Sequence, residues 1–102
     1  AALAFIMSRI AADEAEILSV AVAPNARGRG LAGELLRHHL SRVAARGAAR
    51  MFLEVGEDNQ PALRLYRSAG FREVGKRAGY YPRGVSGKDG AVSALILRRE
   101  LV

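Results

Sequence analysis

The stretch with the clearest potential for chemistry is rich in glycine and arginine. Arg27 to Gly33 reads R-G-R-G-L-A-G and follows the apolar run V-A-V-A at Val20 to Ala23. Glycines let a ligand approach the backbone closely, and backbone N–H groups at the start of a helix bind anions. Arginine side chains add positive charge in a geometry that suits phosphate. The stretch is therefore predicted to bind a pyrophosphate.

The glycines in this stretch allow more than one interpretation. Gly28, Gly30 and Gly33 spell G-x-G-x-x-G, and Glu54 follows about twenty residues later, as in dinucleotide-binding proteins. In a Rossmann unit the first glycine closely follows the strand, whereas here Ala23 to Arg27 intervene, and the chain has too few predicted strands for a doubly wound sheet. A nucleotide-binding P-loop is disfavoured because no Gly-Lys-Ser or Gly-Lys-Thr follows the glycines. The same stretch also reads R-x-x-G-x-A.

Hydrophobic patterning places the glycine-rich stretch between a strand and a helix. Apolar runs predict two antiparallel strands at Leu3 to Met7 and Glu16 to Val22, joined by the polar segment Ser8 to Ala15. Leucines at helical spacing predict an amphipathic helix that starts near Leu31 and ends at Gly47.

The third predicted strand brings an acidic residue to the same region. Met51 to Val55 follows the helix closely, so strand, helix and strand are expected to form a right-handed parallel crossover. Ligands in such sheets bind outside the carboxyl ends of the parallel strands. Glu54 and the glycine-rich turn are therefore expected at one site.

The rest of the chain predicts one more helix and two more strands. Asn59, Gln60 and Pro61 favour a helix start, with Asn59 or Gln60 as the cap and Pro61 in the first turn. Phe71 to Lys76 and Ala91 to Arg98 predict the last two strands. The long segment between these strands is predicted to be a loop, and loops of that length often carry function.

Composition limits the kinds of protein that this chain can be. It has 102 residues, which favours a single domain over residues 1–102, and no cysteine, which excludes disulfides and thiolate metal sites. The formal net charge is +6, and most of the basic residues are arginine, which favours an anionic partner. No apolar run approaches the ~20 residues that span a bilayer. We expect a cytoplasmic protein with no metal and no membrane partner.

Three motifs resemble one family. R-x-x-G-x-A at Arg27 to Ala32, preceded by V-A-V-A-P, resembles motif A of the GNAT family of N-acetyltransferases, whose loop binds the pyrophosphate of acetyl-CoA. Leu53 to Phe71 resembles motif B, with N-x-x-A-x-x-L-Y-x-x-x-G-F in register from Asn59. With G-Y-Y-P at Gly79 to Pro82, the chain is most similar to the bacterial ribosomal-protein-alanine N-acetyltransferases. The resemblance covers almost all of the chain.

This resemblance implies a fold and a domain organisation. The implied fold is an α/β GNAT fold with a mixed, mostly antiparallel central sheet, a splayed parallel strand pair and flanking helices. Members of the family carry a first strand and two helices before the strand that is predicted here at Leu3. Residues 1–102 are therefore expected to form a single acetyltransferase domain that lacks this N-terminal part.

The resemblance also assigns roles to individual residues. Glu54 is the expected general base, and Tyr66 is the expected general acid for the departing thiolate. Asn59 is expected to hydrogen-bond the pantetheine, to cap its helix, or to do both. Tyr80 and Tyr81 are expected to form a wall of the acceptor groove. The residues expected to bind acetyl-CoA are Val20, Ala21, Val22, Arg27, Gly28, Arg29, Gly30, Leu31, Ala32, Gly33 and Asn59.

The implied activity is transfer of an acetyl group from acetyl-CoA to a protein N-terminal α-amine, by direct attack in a ternary complex. The acceptor is expected to be a ribosomal protein; a small amine and a lysine stay open as alternatives. A basic module that binds ribosome or nucleic acid is the remaining alternative, supported by the net charge. The arginines are scattered over the chain rather than gathered in one stripe, which disfavours a direct nucleic-acid ligand.

Overall fold

The computed structural model describes residues 4–23, 28, 30–81 and 92–101. The chain has an α/β fold with a five-stranded sheet in the order β1-β2-β3-β5-β4. No helix among these described residues is long and apolar enough to span a membrane. The elements are β1 (Ala4–Ala11), β2 (Glu14–Val22), α1 (Leu31–Ala45), β3 (Arg50–Gly56), α2 (Gln60–Ser68), β4 (Arg72–Tyr81) and β5 (Val92–Glu100).

The chain divides into two compact units. The first unit consists of Ala1–Phe52 with Arg99–Val102, and the second unit consists of Leu53–Arg98. The strand β3 starts in the first unit and ends in the second. The sheet is mixed, because β2 pairs with β1 antiparallel and with β3 parallel. This confirms the fold class that the sequence predicts.

A β-hairpin opens the first unit. The polar connection predicted from Ser8 to Ala15 was wrong, because both strands continue through it to a tight turn at Ala12 and Asp13. Polar side chains are compatible with this pairing. Arg9 and Glu16 are cross-strand partners and form an ion pair at 2.8 Å.

The helix α1 packs against β1 and β2 through one apolar stripe. Leu36, Leu40 and Val43 recur at helical spacing and are buried, with Leu36 fully inaccessible to solvent. Burying a side chain of this kind stabilises the fold by about 1.5 to 3 kcal/mol. The helix ends at its C-cap Arg46, and the next residue, Gly47, has a left-handed φ of 98°. This is the helix end that the sequence predicts.

The second unit has a core of its own, drawn from strands and from α2. Every second residue of β3 is buried, so Glu54 lies on the opposite face from Leu53 and Val55. The strands β4 and β5 pair antiparallel, and β4 continues to Tyr81, where a loop was predicted. The loop prediction was wrong for residues 77–81, because Tyr81 is still paired with Val92; the rest of the predicted loop lies outside the described residues. The buried apolar residues of this unit are Leu53, Val55, Leu63, Tyr66, Phe71, Val92, Ala94, Leu95 and Leu97.

Candidate functional site

The end of β2 carries the residues predicted to lie along the pantetheine arm. Val20, Ala21 and Val22 are paired with β1 along one edge of the strand. Within the first unit, β2 pairs parallel with β3 from Glu14 with Arg50 to Glu16 with Phe52. The register between β1 and β2 also shifts between Met7 and Ser8, where Leu18 has no partner. Irregularities of this kind are common beside active sites.

Two glycines precede α1 in left-handed conformations. Gly28 has a φ of 80° and Gly30 a φ of 73°, which glycine adopts without the steric penalty of other residues. A Cβ placed on either glycine would meet no atom within 4 Å among the described residues, so the space beside the backbone is open. Arg27 and Arg29, the two arginines predicted to bind phosphate, lie outside the described residues.

The first turn of α1 has the features of an anion site. Gly30 is the N-cap residue and provides no side-chain cap, while its carbonyl oxygen accepts the N–H of Glu34 at 3.1 Å. The N–H groups of Leu31, Ala32 and Gly33 therefore have no acceptor within the helix. These groups and the positive end of the helix dipole favour a negatively charged ligand.

Glu54 is held by an arginine that the sequence did not single out. One oxygen of the Glu54 carboxylate, Oε1, accepts a hydrogen bond from Nη2 of Arg77 at 2.8 Å. The Glu54 side chain is 25% exposed, so it remains accessible from solvent. Arg77 was missed because it was assigned to a loop, whereas it lies within β4. A strand that continued past Lys76 would have placed the Arg77 cation in the sheet.

Tyr66 is buried on α2, and its hydroxyl is protonated at neutral pH. Its ring packs edge-to-face on Phe71, with ring centroids 5.8 Å apart. Burial raises the pKa of the Tyr66 hydroxyl above its usual value, because desolvation disfavours the phenolate. A neutral phenol of this kind can donate a proton to a stronger base.

Asn59 caps α2. Its Oδ1 accepts the N–H of Ala62 at 3.3 Å, and the side chain is exposed. This is the capping role that the sequence offered for Asn59, and the amide nitrogen keeps its two donors for another partner. The backbones of Tyr80 and Tyr81 end β4, while their side chains lie outside the described part of the structure.

The predicted residues thus fall into two groups. The glycines, the first turn of α1 and the end of β2 belong to the first unit. Glu54, Asn59 and Tyr66 belong to the second unit, where they follow one another from β3 into α2. The described residues contain no cluster of three or more His, Cys, Asp or Glu side chains that could hold a metal ion.

One further polar contact in the first unit was also missed. Ser8 Oγ and His39 Nε2 are 2.7 Å apart, between β1 and α1. Burial, with added repulsion from Arg42 and then His38, lowers the pKa of His39 below its usual value, so this imidazole is neutral at pH 7. The contact explains how Ser8 is accommodated in a strand against α1.

Comparisons with known proteins identify a family and several relatives of this chain. A family model described as the acetyltransferase (GNAT) family matches residues 1–71. The [ribosomal protein bS18]-alanine N-acetyltransferase of Salmonella typhimurium is 37% identical over 92 residues, which cover 90% of this chain and 62% of that protein. The N-alpha-acetyltransferase RimI of Mycobacterium tuberculosis is 45% identical over 87 residues, which cover 85% of this chain and 49% of that protein.

The fold is also similar to solved structures. The crystal structure of the ribosomal-protein-S18-alanine N-acetyltransferase from Escherichia coli superimposes with a TM-score of 0.87 at 35% identity, and the match covers 97% of this chain and 61% of that one. The chain therefore spans less than two thirds of the length of these relatives.

Proposed function

The chain belongs to the acetyltransferase (GNAT) family, and on that premise we propose that it works as an acetyl-CoA-dependent N-acetyltransferase acting on a protein N-terminal α-amine. The observation that carries the proposal is the start of α1, which is preceded by left-handed glycines and has no side-chain cap. The names of the relatives from Salmonella and Mycobacterium support the reaction class. We propose residues 1–102 as a single domain of this kind.

The proposed binding of acetyl-CoA uses backbone groups first. Its pyrophosphate would be held by the N–H groups of Leu31, Ala32 and Gly33, with the backbones of Gly28 and Gly30 alongside. The side chains of Arg27 and Arg29 would add charge. The backbone of β2 from Val20 to Val22 would bind the pantetheine arm. Acetyl-CoA supplies the acetyl group as an activated thioester.

Glu54 is proposed as the general base. A peptide α-amine has a pKa of about 7.7 to 8.0, so most of it is protonated at neutral pH and cannot attack. In the proposed reaction the amine nitrogen bonds to the acetyl carbon, and the amine proton passes to the Glu54 carboxylate, directly or through water. A base in this role contributes typically 10² to 10⁴-fold to the rate.

Tyr66 is proposed as the general acid. When the carbon–sulfur bond breaks, the CoA thiolate takes the hydroxyl proton of Tyr66, and solvent then returns a proton to the phenolate. The Tyr66 hydroxyl is protonated at neutral pH, as this role requires, and burial raises its pKa further above its usual value. Tyr80 and Tyr81 are proposed as contacts for the acceptor peptide.

Substitution of Tyr66 by phenylalanine tests the acid directly. Tyr66→Phe removes the proton donor and keeps the ring that packs on Phe71, so the fold is expected to persist. We expect kcat to fall about 10²-fold, with the Kd for acetyl-CoA nearly unchanged, in steady-state kinetics and titration calorimetry. An unchanged kcat would remove Tyr66 from the mechanism.

An acetylation assay tests the acceptor class. Peptides that begin with alanine are expected to be acetylated at the α-amine, and the same peptides with a blocked N-terminus are expected to be inert. Mass spectrometry of the products locates the acetyl group. Acetylation of an internal lysine or of a small amine, with free N-termini untouched, would replace the proposed acceptor with one of those classes.

A further inference from the structure

Two ion pairs of the second unit connect β4 with the residues at the end of β3. Arg77 Nη2 lies 2.8 Å from Glu54 Oε1, and Lys76 Nζ lies 3.0 Å from Glu57 Oε2. Both cationic side chains are 51% exposed, so the two pairs are matched in the exposure of the cation. They differ in the acid, because only Glu54 is a proposed reacting group.

The ion pair between Arg77 and Glu54 joins two strands that are not neighbours in the sheet. In the sheet order, β5 lies between β3 and β4, so the two side chains meet across it. Arg77 is paired with Ala94 of β5, and cross-strand partners share a face of the sheet. Ala94 is small and fully buried, which leaves room for the long arginine side chain above it. Arg77 and Lys76 are neighbours in β4, so their side chains leave opposite faces.

The geometry restrains one half of the carboxylate. The 2.8 Å distance is that of a charge-assisted hydrogen bond, and the guanidinium is always charged. Among the described residues, Oε2 of Glu54 has no such partner. A carboxylate tied through one oxygen loses rotational freedom, and its second oxygen is then held in a fixed direction.

We propose that Arg77 is a positioning residue, which binds Oε1 of Glu54 and thereby fixes Oε2 as the oxygen that takes the amine proton. The inference rests on the proposed function, because it requires Glu54 to be the base. Arg77 acts only through Glu54 and exchanges no proton itself. Placement matters for such a group, since a displacement of about 1 Å can cost about 10²-fold in rate.

Paired substitutions in β4 test the inference. Arg77→Met is expected to lower kcat by about 10- to 100-fold and to leave the KM for acetyl-CoA unchanged. Arg77→Lys keeps a cation and is expected to recover part of the loss. Lys76→Met, the matched control, breaks the other pair and is expected to leave kcat unchanged. Equal losses in the two methionine variants, or a faster Arg77→Met enzyme, would overturn the inference.

A double-mutant cycle separates this inference from the proposed function. Glu54→Gln should lower kcat, and Arg77→Met added to it should cause no further loss, because the base that Arg77 positions is already gone. Independent, additive losses would overturn the positioning role and leave Glu54 as the base. An unchanged kcat in Glu54→Gln would overturn the proposed mechanism, and the inference with it.

Discussion

The two helices that the structure describes begin in opposite ways. At the start of α2, the side-chain oxygen of Asn59 accepts a hydrogen bond from the N–H of Ala62, and Pro61 lacks an N–H of its own. At α1, the cap residue is Gly30, in a left-handed conformation and without a side-chain acceptor. The first N–H groups of α2 thus find acceptors in the residues around its own start. The first N–H groups of α1 are left to bind solvent or a ligand.

The difference shows how sequence separates a structural helix start from a binding one. An asparagine cap stabilises a helix start by about 1 kcal/mol relative to alanine, and a proline in the first turn has a backbone conformation that suits the helix. Glycine lacks that side-chain acceptor, at a cost of only about a few tenths of a kcal/mol, and a Cβ at Gly28 or Gly30 would meet no described atom within 4 Å. The open start of α1 is therefore the better candidate for a pyrophosphate, and each start can be altered separately.

The largest expected effect comes from a negative charge in the first turn of α1. Ala32→Asp places a carboxylate beside the proposed pyrophosphate site, where it stabilises the helix by about 0.3 to 1 kcal/mol and repels the ligand. We expect the Kd for acetyl-CoA to rise at least about tenfold, which is about 1.4 kcal/mol. Titration calorimetry and thermal denaturation measure the two opposite effects on one variant.

Two controls isolate the charge and the helix. Ala32→Asn has nearly the size of the aspartate without its charge, so it should bind acetyl-CoA more tightly than Ala32→Asp. Gln60→Asp adds a carboxylate to the first turn of α2, where the side chain is exposed, and should leave the Kd unchanged. If all three variants bind like the wild type, the start of α1 does not hold the pyrophosphate.

A medium effect is expected from the conformation of Gly30. Alanine at this position must adopt the φ of 73°, which costs about 1 to 2 kcal/mol, while its added Cβ meets no described atom within 4 Å. Urea denaturation should show that loss for Gly30→Ala and a smaller one for Gly30→Asn, because asparagine tolerates the left-handed region. Equal stability of all three proteins would mean that the loop does not require this conformation.

The elements were largely predictable from the sequence because their apolar residues follow clear periods. Leu36, Leu40 and Val43 mark α1, and the alternating pattern of β3 marks a half-buried strand. Strand ends were less predictable, since pairing carries strands beyond their apolar residues. Arg9 continues β1 because Glu16 faces it across the hairpin, which no local pattern reveals.

The candidate site was predictable where it depends on local sequence. The glycines before α1 and the cap at Asn59 have short-range signatures, and both features are present. The partner of Glu54 was not predictable in this way, because Arg77 is 23 residues away and meets it across β5. Contacts that depend on sheet order need the fold before they can be named.

The smallest expected effect concerns the cap of α2. Asn59→Ala removes the acceptor of the Ala62 N–H and should lower the free energy of unfolding by about 1 kcal/mol, measured by urea denaturation. Asn59→Ser keeps a capping oxygen and should restore most of it. The serine variant lacks the amide donors that a pantetheine contact needs, so the two roles of Asn59 separate.

Kinetics on the two Asn59 variants decide between those roles. A KM for acetyl-CoA that rises in both variants, although the serine variant is stable, would show that the amide also binds the pantetheine. A KM that stays at the wild-type value in both would limit Asn59 to capping, and α2 would then start as a purely structural helix. In that case the contrast with α1 is complete, because of the two described helix starts only that of α1 remains a candidate for the ligand.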